Sequence, residues 1–490
     1  MGKALRIHPA DNVAVALEVI DCGDTVLGVR AAEPIPSGHK IALENIAKNQ
    51  TVVKYGYPIG TASEDIQPGQ WVHSHNMITN LKGQLSYTYE PDGKALPPLE
   101  ARSFNGFRRG DGRVGIRNEL WIIPLVGCVN DICKTLETAA APLAEEFALD
   151  GVYHFPHPYG CSQLGDDLGN TRRILTQLCR HPNAGGVLVV SLGCENNTIE
   201  SFREELGTDY DDKIRYMVCQ NVKDEFEEGI ALLRELAEYA SSFRREPCSA
   251  SELVIGLKCG GSDGLSGITA NPAVGRLSDM VVAMGGTSIL SEVPEMFGAE
   301  TVLMNRCENK QLFEKAVSMV NGFKQYFISH GQPVGENPSP GNKAGGITTL
   351  EDKSLGCIQK GGKAPVSGVL DYGERVVNRG LNLLCAPGND LVSSTALTAA
   401  GAQMILFTTG RGTPFSAPAP TIKISTNSDL YRNKPHWIDI DAGSVAAGEE
   451  IDSAAERLLS YVLEVADGGR TCSEKNNQHG IAIWKNGVTL

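Results

Sequence analysis

From residue 105 onward the chain repeats one pattern: an apolar run that stops at a Gly-, Ser- or Thr-rich turn. LWIIPLVG, GGVLVVSLG and KIRYMVCQ come first, and ELVIGLKCGG, TSILSEVPE, LNLLCAPGND, AQMILFTTGRG and TIKISTN follow. Short apolar runs bounded by turn residues read as buried strands. Helical segments fall between them. Asp131 to Phe147 is one; from Asp224 to Ala240 the apolar residues Phe226, Ile230, Leu233, Ala237 and Ala240 recur at steps of four and three. That spacing is the stripe of an amphipathic helix. Strands alternating with helices specify α/β layers. In open α/β sheets the ligand lies beyond the carboxyl ends of the strands, so the polar turns are where chemistry is expected.

The stretch before residue 95 has a different texture. ALEVI, TVLGV, KIAL, TVVKYG and QWVHSHN are short apolar runs closely punctuated by PIPSGH, YPIG and IQPGQ, and only IALENIAKN carries a helical period. This predicts a small, mostly β domain. The polar, Pro- and Gly-bearing YEPDGKALPPLEARSFNG follows as a linker, and SSFRREPCSASE marks a second boundary. The expected layout is a β domain over 1–95, a linker over 96–106, an α/β domain over 107–247 and a second α/β domain over 252–490. A chain of 490 residues has ample interior for conventional cores.

Acidic side chains outnumber basic ones by 58 to 44, a formal net charge of −14. That balance opposes general affinity for nucleic acid or anionic membrane, and an anionic ligand would need positive charge gathered locally. Thirteen scattered cysteines, an odd number, read as reduced thiols. With no signal-peptide stretch and no run long enough to span a bilayer, a soluble cytoplasmic protein is expected.

Gly110 to Gly115, GDGRVG, fits G-x-G-x-x-G but leads into an apparent strand instead of a helix, so it is no dinucleotide fingerprint. No Walker loop and no H-E-x-x-H signature is present, and nucleotide chemistry has no support. In QWVHSHN, strand alternation would put Trp71, His73 and His75 on one face. Two imidazoles side by side suit a divalent metal, and His39 in PSGHK offers a third ligand; the competing reading is ordinary surface histidines. Lys54 in VVKYG either snorkels or faces a polar cleft, where it would bind a carboxylate or act as a base. Tyr55 adjoins it. Cys161, Cys194 and Cys259 stand at strand ends, but their spacing matches no ferredoxin-like run, so an iron–sulfur cluster is not expected. Glu195, Asp263, Glu292 and Glu295 flank the same turns and serve either as metal ligands and proton carriers or as helix caps. NPSPGNKAGGITTLEDKSLG, residues 337–356, is expected to be a long functional loop carrying Lys343 and Lys353; with Arg411 in TTGRGTP it supplies local positive charge.

Taken together, GHKIAL, VVKYGYPIG and VHSHN resemble the small SAF-type, β-clip domain that opens the altronate/galactarate dehydratase family. RVGIRNELWIIPLVGCVN, HPYGCSQLGDD, LGCENN, CGGSDGLSGITANP, SEVPEMFGAE, NPSPGNKAGGITTLEDKSLGC, APGND and TTGRGTP are similar to the remainder of that family, in order and along essentially the whole chain. The resemblance implies a SAF domain, a second α/β domain and a Rossmann-like, knotted C-terminal domain. It implies dehydration of a sugar acid: altronate to 2-dehydro-3-deoxygluconate in hexuronate catabolism, or galactarate as the second reading. Iron(II) or manganese(II) is the implied cofactor, and a homodimer is the candidate assembly. A non-catalytic sugar-acid binding module is the alternative outside enzymes. For such a reaction, His39, His73 and His75 are the expected metal ligands. Lys54, Tyr55, Asp263 and Glu292 are the expected catalytic groups, and Asn76, Lys343 and Arg411 the expected substrate contacts.

Overall fold

The computed structural model describes residues 2–81, 83–487 and 489. At the N-terminus, Val13–Ala16 lies between Ala4–Leu5 and Lys40–Ala42, with Trp71–Val72 at the edge of the same sheet. A second sheet joins Thr51–Lys54, Tyr57–Ala62 and Met77–Ile78. All these pairings are antiparallel. IALENIAKN does not become a helix. Its first residues complete Lys40–Ala42 and the rest turns, with Asn49 in the left-handed region at φ 69°.

The linker expected over 96–106 begins as a strap. The Leu99 amide donates to the Ala283 carbonyl, and Tyr89, inside the stretch expected as β domain, already donates its hydroxyl to the Cys307 carbonyl, so the strap along the C-terminal domain begins before residue 96. Its end becomes the strand Ser103–Arg108, which pairs antiparallel with Arg245–Ser249, the stretch read as the second boundary. GDGRVG is the hairpin turn from Ser103–Arg108 into Val114–Gly115.

The middle domain is a four-stranded parallel sheet in the order Gly151–His154, Glu119–Pro124, Ala184–Ser191, Ile214–Val218. Its helices include Asn130–Glu146 and Glu225–Ala240, the latter capped by Asp224, whose carboxylate accepts the Phe226 and Glu227 amides. Leu233, Leu236, Ala237 and Ala240 form the buried stripe, while Phe226 in the first turn is exposed.

The C-terminal domain is a seven-stranded parallel sheet. Its order is Val366–Leu370, Gly380–Leu384, Thr287–Leu290, Val254–Cys259, Met404–Thr409, Thr421–Ser425, Ile440–Asp441. The chain starts in the middle at Val254–Cys259, steps to Thr287–Leu290, jumps to the edge strand Val366–Leu370, fills the gap with Gly380–Leu384, and then winds outward the other way. The reversal falls between Val254–Cys259 and Met404–Thr409, which is where such sheets open a crevice. Asp263 and Arg411 follow these two strands.

The cores run across domain boundaries. Val52, Ile59 and Ala62 of the β domain share one cluster with Leu350 and Leu355. Trp121 and Ile123 of the middle sheet share another with Ile289 and Ala396. Arg117 donates to both oxygens of Glu474 at 2.7 and 3.0 Å, a buried bidentate pair joining the middle domain to the C-terminal segment. Among the described residues, no helix is long and apolar enough to cross a membrane.

Candidate active site

Residues 337–356 are not the long irregular loop that their Gly and Pro content suggests. They hold the short helix Pro340–Ala344, begun by a Ser339 capping box, and the helix Leu350–Cys357, begun by Thr349, whose hydroxyl accepts the Asp352 amide. A carboxylate in a first helical turn is favoured by the helix dipole. Asp352 uses that position to face the β domain. Its Oδ2 accepts from Lys40 Nζ at 2.8 Å and its Oδ1 from Lys54 Nζ at 3.0 Å. All three side chains are buried.

The charges of this triad follow from its geometry. Burial works against ionisation of Asp352, but the two ammonium groups outweigh it and hold the carboxyl well below the usual range. Burial likewise opposes the charge on Lys54, and the Asp352 carboxylate overcomes it, so Lys54 is raised and stays a cation. Lys40 is the reverse: burial dominates and brings it down to about 8.

Tyr55 follows Lys54 at the tip of the hairpin joining Thr51–Lys54 to Tyr57–Ala62. Tyr55 and Gly56 take φ of 61° and 77°, the two-residue turn whose twist matches paired strands. Asn or Gly is usual at the first of these positions, and an aromatic there carries backbone strain, a trait that gathers at functional sites. The strain aims the phenol between two glycines: a Cβ on Gly267 would lie 2.1 Å from the Tyr55 hydroxyl. Burial raises the Tyr55 pKa, so the phenol keeps its proton.

Lys54, Tyr55, Asp263, Asp352, Lys353 and Cys357 line one small cavity. Asp263 is half-buried there. It accepts from the Thr426 hydroxyl at 2.8 Å, the Ser266 hydroxyl at 2.9 Å and Asn427 Nδ2 at 3.2 Å. Burial pushes its pKa up against these donors. The β domain docks closely because Gly264 has no side chain; a Cβ there would fall 1.9 Å from the Gly38 carbonyl oxygen.

Arg411 and Lys343 are both exposed, and the Arg411 guanidinium lies against Gly341, one helical residue pair away from Lys343. Neither lines the cavity, but Arg411 directly follows Gly410, which the Asp263 carboxylate abuts. Glu292 sits elsewhere. It is buried at φ 70° and binds Lys258 through Oε1, and Lys360 Nζ at 2.8 Å and the Cys259 amide at 3.0 Å through Oε2. It does not line the cavity with Lys54, Tyr55 and Asp263.

The histidines gather around Trp71, whose ring centroid is 5.2 Å from His39, 5.3 Å from His73 and 5.4 Å from His75. Their nitrogens are unequally available. Trp71 Nε1 donates to His39 Nδ1 at 3.1 Å, which leaves the proton on Nε2 to donate to the Ala344 carbonyl at 3.3 Å. His73 Nδ1 lies 3.4 Å from the Thr348 hydroxyl, and burial with the nearby Lys40 lowers its pKa to about 4. Its ring is therefore neutral at pH 7, as a metal ligand must be. His75 is exposed. His73 and His75 thus fit a divalent ion in chemistry, while His39 would first have to release Trp71 or Ala344. Asn76 accepts the His73 amide at 2.9 Å and donates to the Trp71 carbonyl at 2.9 Å, so it pins this turn and has little left for a substrate.

Cys161 and Cys194 are exposed in the middle domain, whereas Cys259 is buried in the C-terminal one. Glu195 caps its own turn, accepting the Leu192 and Gly193 amides. Among the described residues, the group of three His, Cys, Asp or Glu side chains whose ligand atoms all lie within 4.8 Å of one another is Cys259, Glu295 and Cys357. Sequence reasoning missed Lys40, Asp352 and Cys357. The one local signal for Asp352 was its place three residues after Thr349, the helix-cap spacing.

Comparison with known proteins adds to this geometry. Residues 2–80 match the family described as Altronate/galactarate dehydratase SAF domain. Residues 106–241 match D-galactarate dehydratase/Altronate hydrolase, second domain, and residues 250–489 match D-galactarate/Altronate dehydratase, C-terminal. The chain is 53% identical to an Altronate dehydratase of Escherichia coli (strain K12), over 99% of both chains. It is 52% identical to an Altronate dehydratase of Bacillus subtilis (strain 168), over the full length of both. Its identity to the Galactarate dehydratase (L-threo-forming) of Escherichia coli (strain K12) is 35%, covering 95% of this chain and 92% of that one.

Proposed function

This chain belongs to the altronate/galactarate dehydratase family, and from that premise we propose that it eliminates water from D-altronate to give 2-dehydro-3-deoxy-D-gluconate. The observation that carries the reading is the single cavity that collects a fixed cation, a protonated phenol and a carboxylate: Lys54, Tyr55 and Asp263. Loss of the C2 proton beside a carboxylate builds negative charge on the carboxylate oxygens, which opposes the step unless that charge is met. Lys54, kept cationic by Asp352, meets it. Asp263 takes the C2 proton. Tyr55 gives its proton to the departing C3 hydroxyl, which leaves as water. The enol so formed tautomerises to the 2-keto acid, and exchange with solvent returns Asp263 and Tyr55 to their starting states. Lys343 and Arg411 meet the incoming anion outside the cavity. Glu292 acts at a remove, by fixing Lys258 and Lys360.

Iron(II) or manganese(II), held by His73 and His75 with His39 beside them, would supply further charge stabilisation for the carboxylate. On the family's pattern we also read the C-terminal domain as Rossmann-like and knotted, the protein as cytoplasmic, and its assembly as a homodimer. The winding order of the seven strands supports the Rossmann-like part.

The paired cations Lys343 and Arg411 also suit a substrate with a second carboxylate, as in galactarate. The test is to incubate the purified chain anaerobically with altronate or galactarate and Fe(II) or Mn(II), and to trap 2-keto acid with semicarbazide. Faster keto-acid release from altronate supports the proposal. Preference for galactarate replaces the substrate, and binding of either acid without product overturns the reaction.

A further inference from the structure

Behind the cavity the chain has built a second constellation that the reaction does not use. Cys259 ends the strand Val254–Cys259, and Cys357 ends the helix Leu350–Cys357. Glu295 closes the short turn Val293–Glu295. The two sulfurs are 3.5 Å apart, and each lies 3.1 Å from the same carboxylate oxygen, Glu295 Oε2. The other oxygen, Oε1, is held by Lys353 Nζ at 2.7 Å, which orients the carboxylate toward the thiols. All three side chains are buried, at 1%, 4% and 5% exposure.

From this geometry we infer that Cys259, Cys357 and Glu295 form a binding site for a thiophilic divalent metal, zinc or iron(II). Three protein ligands on a tetrahedral ion leave one position open. Cys357 also lines the cavity that holds Lys54, Tyr55 and Asp263, which places the cluster against that cavity. Thiolate ligands select zinc and iron(II) over magnesium or calcium.

Charge balance supports the assignment. Lys258, Lys353 and Lys360 are set against Glu292, Glu295 and Asp390, three cations against three anions in direct contact. Entry of a divalent cation with release of both thiol protons to solvent leaves this balance unchanged. The lysine held on Glu295 then acts as the outer partner that fixes a ligand's orientation. The assignment does not depend on the substrate proposed above, nor on the histidines.

The experiment is to load the full-length chain, reduced and stripped of metal, with cobalt(II) under anaerobic conditions. The expected result is one cobalt per chain with the near-ultraviolet sulfur-to-cobalt absorption and visible bands of tetrahedral geometry, displaced by one equivalent of zinc. His73→Ala and His75→Ala variants should keep these bands. Cys259→Ser and Cys357→Ser should each weaken them, and the double variant should abolish them. Glu295→Gln should retain the sulfur band with cobalt affinity lowered roughly tenfold or more. Reduced wild-type protein that shows no sulfur-to-cobalt band overturns the inference whatever the variants do. So does a band that survives in the folded double variant.

Discussion

Lys54 and Asp352 stand 298 positions apart in the chain and meet at 3.0 Å, both buried, with Lys40 on the other carboxylate oxygen. Each half of this contact is useless alone. The hairpin brings an ammonium group that burial would discharge, and the helix brings a carboxylate that burial would protonate.

Asp352→Asn removes the anion and leaves two buried ammonium groups without it. Breaking a buried pair by deleting one partner costs about 3–5 kcal/mol. The variant should unfold at lower urea by that amount in free energy, and its keto-acid production should fall by at least about 100-fold. A loss under 1 kcal/mol would show that the triad does not hold the two domains together.

Tyr55→Phe keeps the ring between Gly267 and Gly356 and removes only the proton donor. We expect an unchanged melting temperature and a fall of about 10²–10⁴-fold in kcat with little change in KM, the usual worth of a general acid. Steady-state kinetics with altronate checks this. An equal fall in kcat/KM carried by KM alone would make Tyr55 a binding residue.

Removing the imidazoles separates metal binding from folding. His73→Ala and His75→Ala should each lower the affinity for Fe(II) or Mn(II), read by titration with metal analysis after gel filtration, while the far-ultraviolet spectrum stays that of the parent. His39→Ala should instead loosen Trp71, whose indole loses its acceptor, and is expected to show first in tryptophan fluorescence. Full metal content and full turnover in the His73 and His75 variants would refute their assignment.

The stability of the molecule should fall in mild acid through His181. This ring stacks on Trp121 at 5.3 Å, shares a hydrogen bond with the Ala402 carbonyl at 3.1 Å, and is pushed from 6.5 to about 3 by burial. The unfolded chain takes up a proton below pH 6.5 that the folded chain refuses. The stability is thus fully present above 6.5 and is lost as pH falls toward 3. The expected slope is about 1.4 kcal/mol per pH unit inside that window. His181→Gln should remove that part of the slope from urea titrations at pH 7, 6 and 5.

Several local features were readable in advance because they rest on near neighbours in the chain. The step of four and three from Ile230 to Ala240 does make a helix, and the apolar runs do make parallel strands. Reading failed in two ways, by weighting Gly and Pro over nearby helix caps and by missing contacts far apart in the chain. Gly and Pro in NPSPGNKAGGITTLEDKSLG suggested an irregular loop, yet Ser339 and Thr349 cap two helices inside it. Glu292, read as catalytic from its place in SEVPE, is consumed by Lys258 and Lys360, which no local pattern ties to it.

Hydrophobic periodicity and turn chemistry act over a few residues, so the alternation of strands and helices and the β texture of the N-terminal domain follow from local sequence. The protonation of Lys54, Tyr55 and Asp263 instead follows from burial and from partners far away in the chain. Whether a buried lysine stays charged depends on which carboxylate comes within about 3 Å, and here that carboxylate is brought from 298 positions away by the packing of the domains.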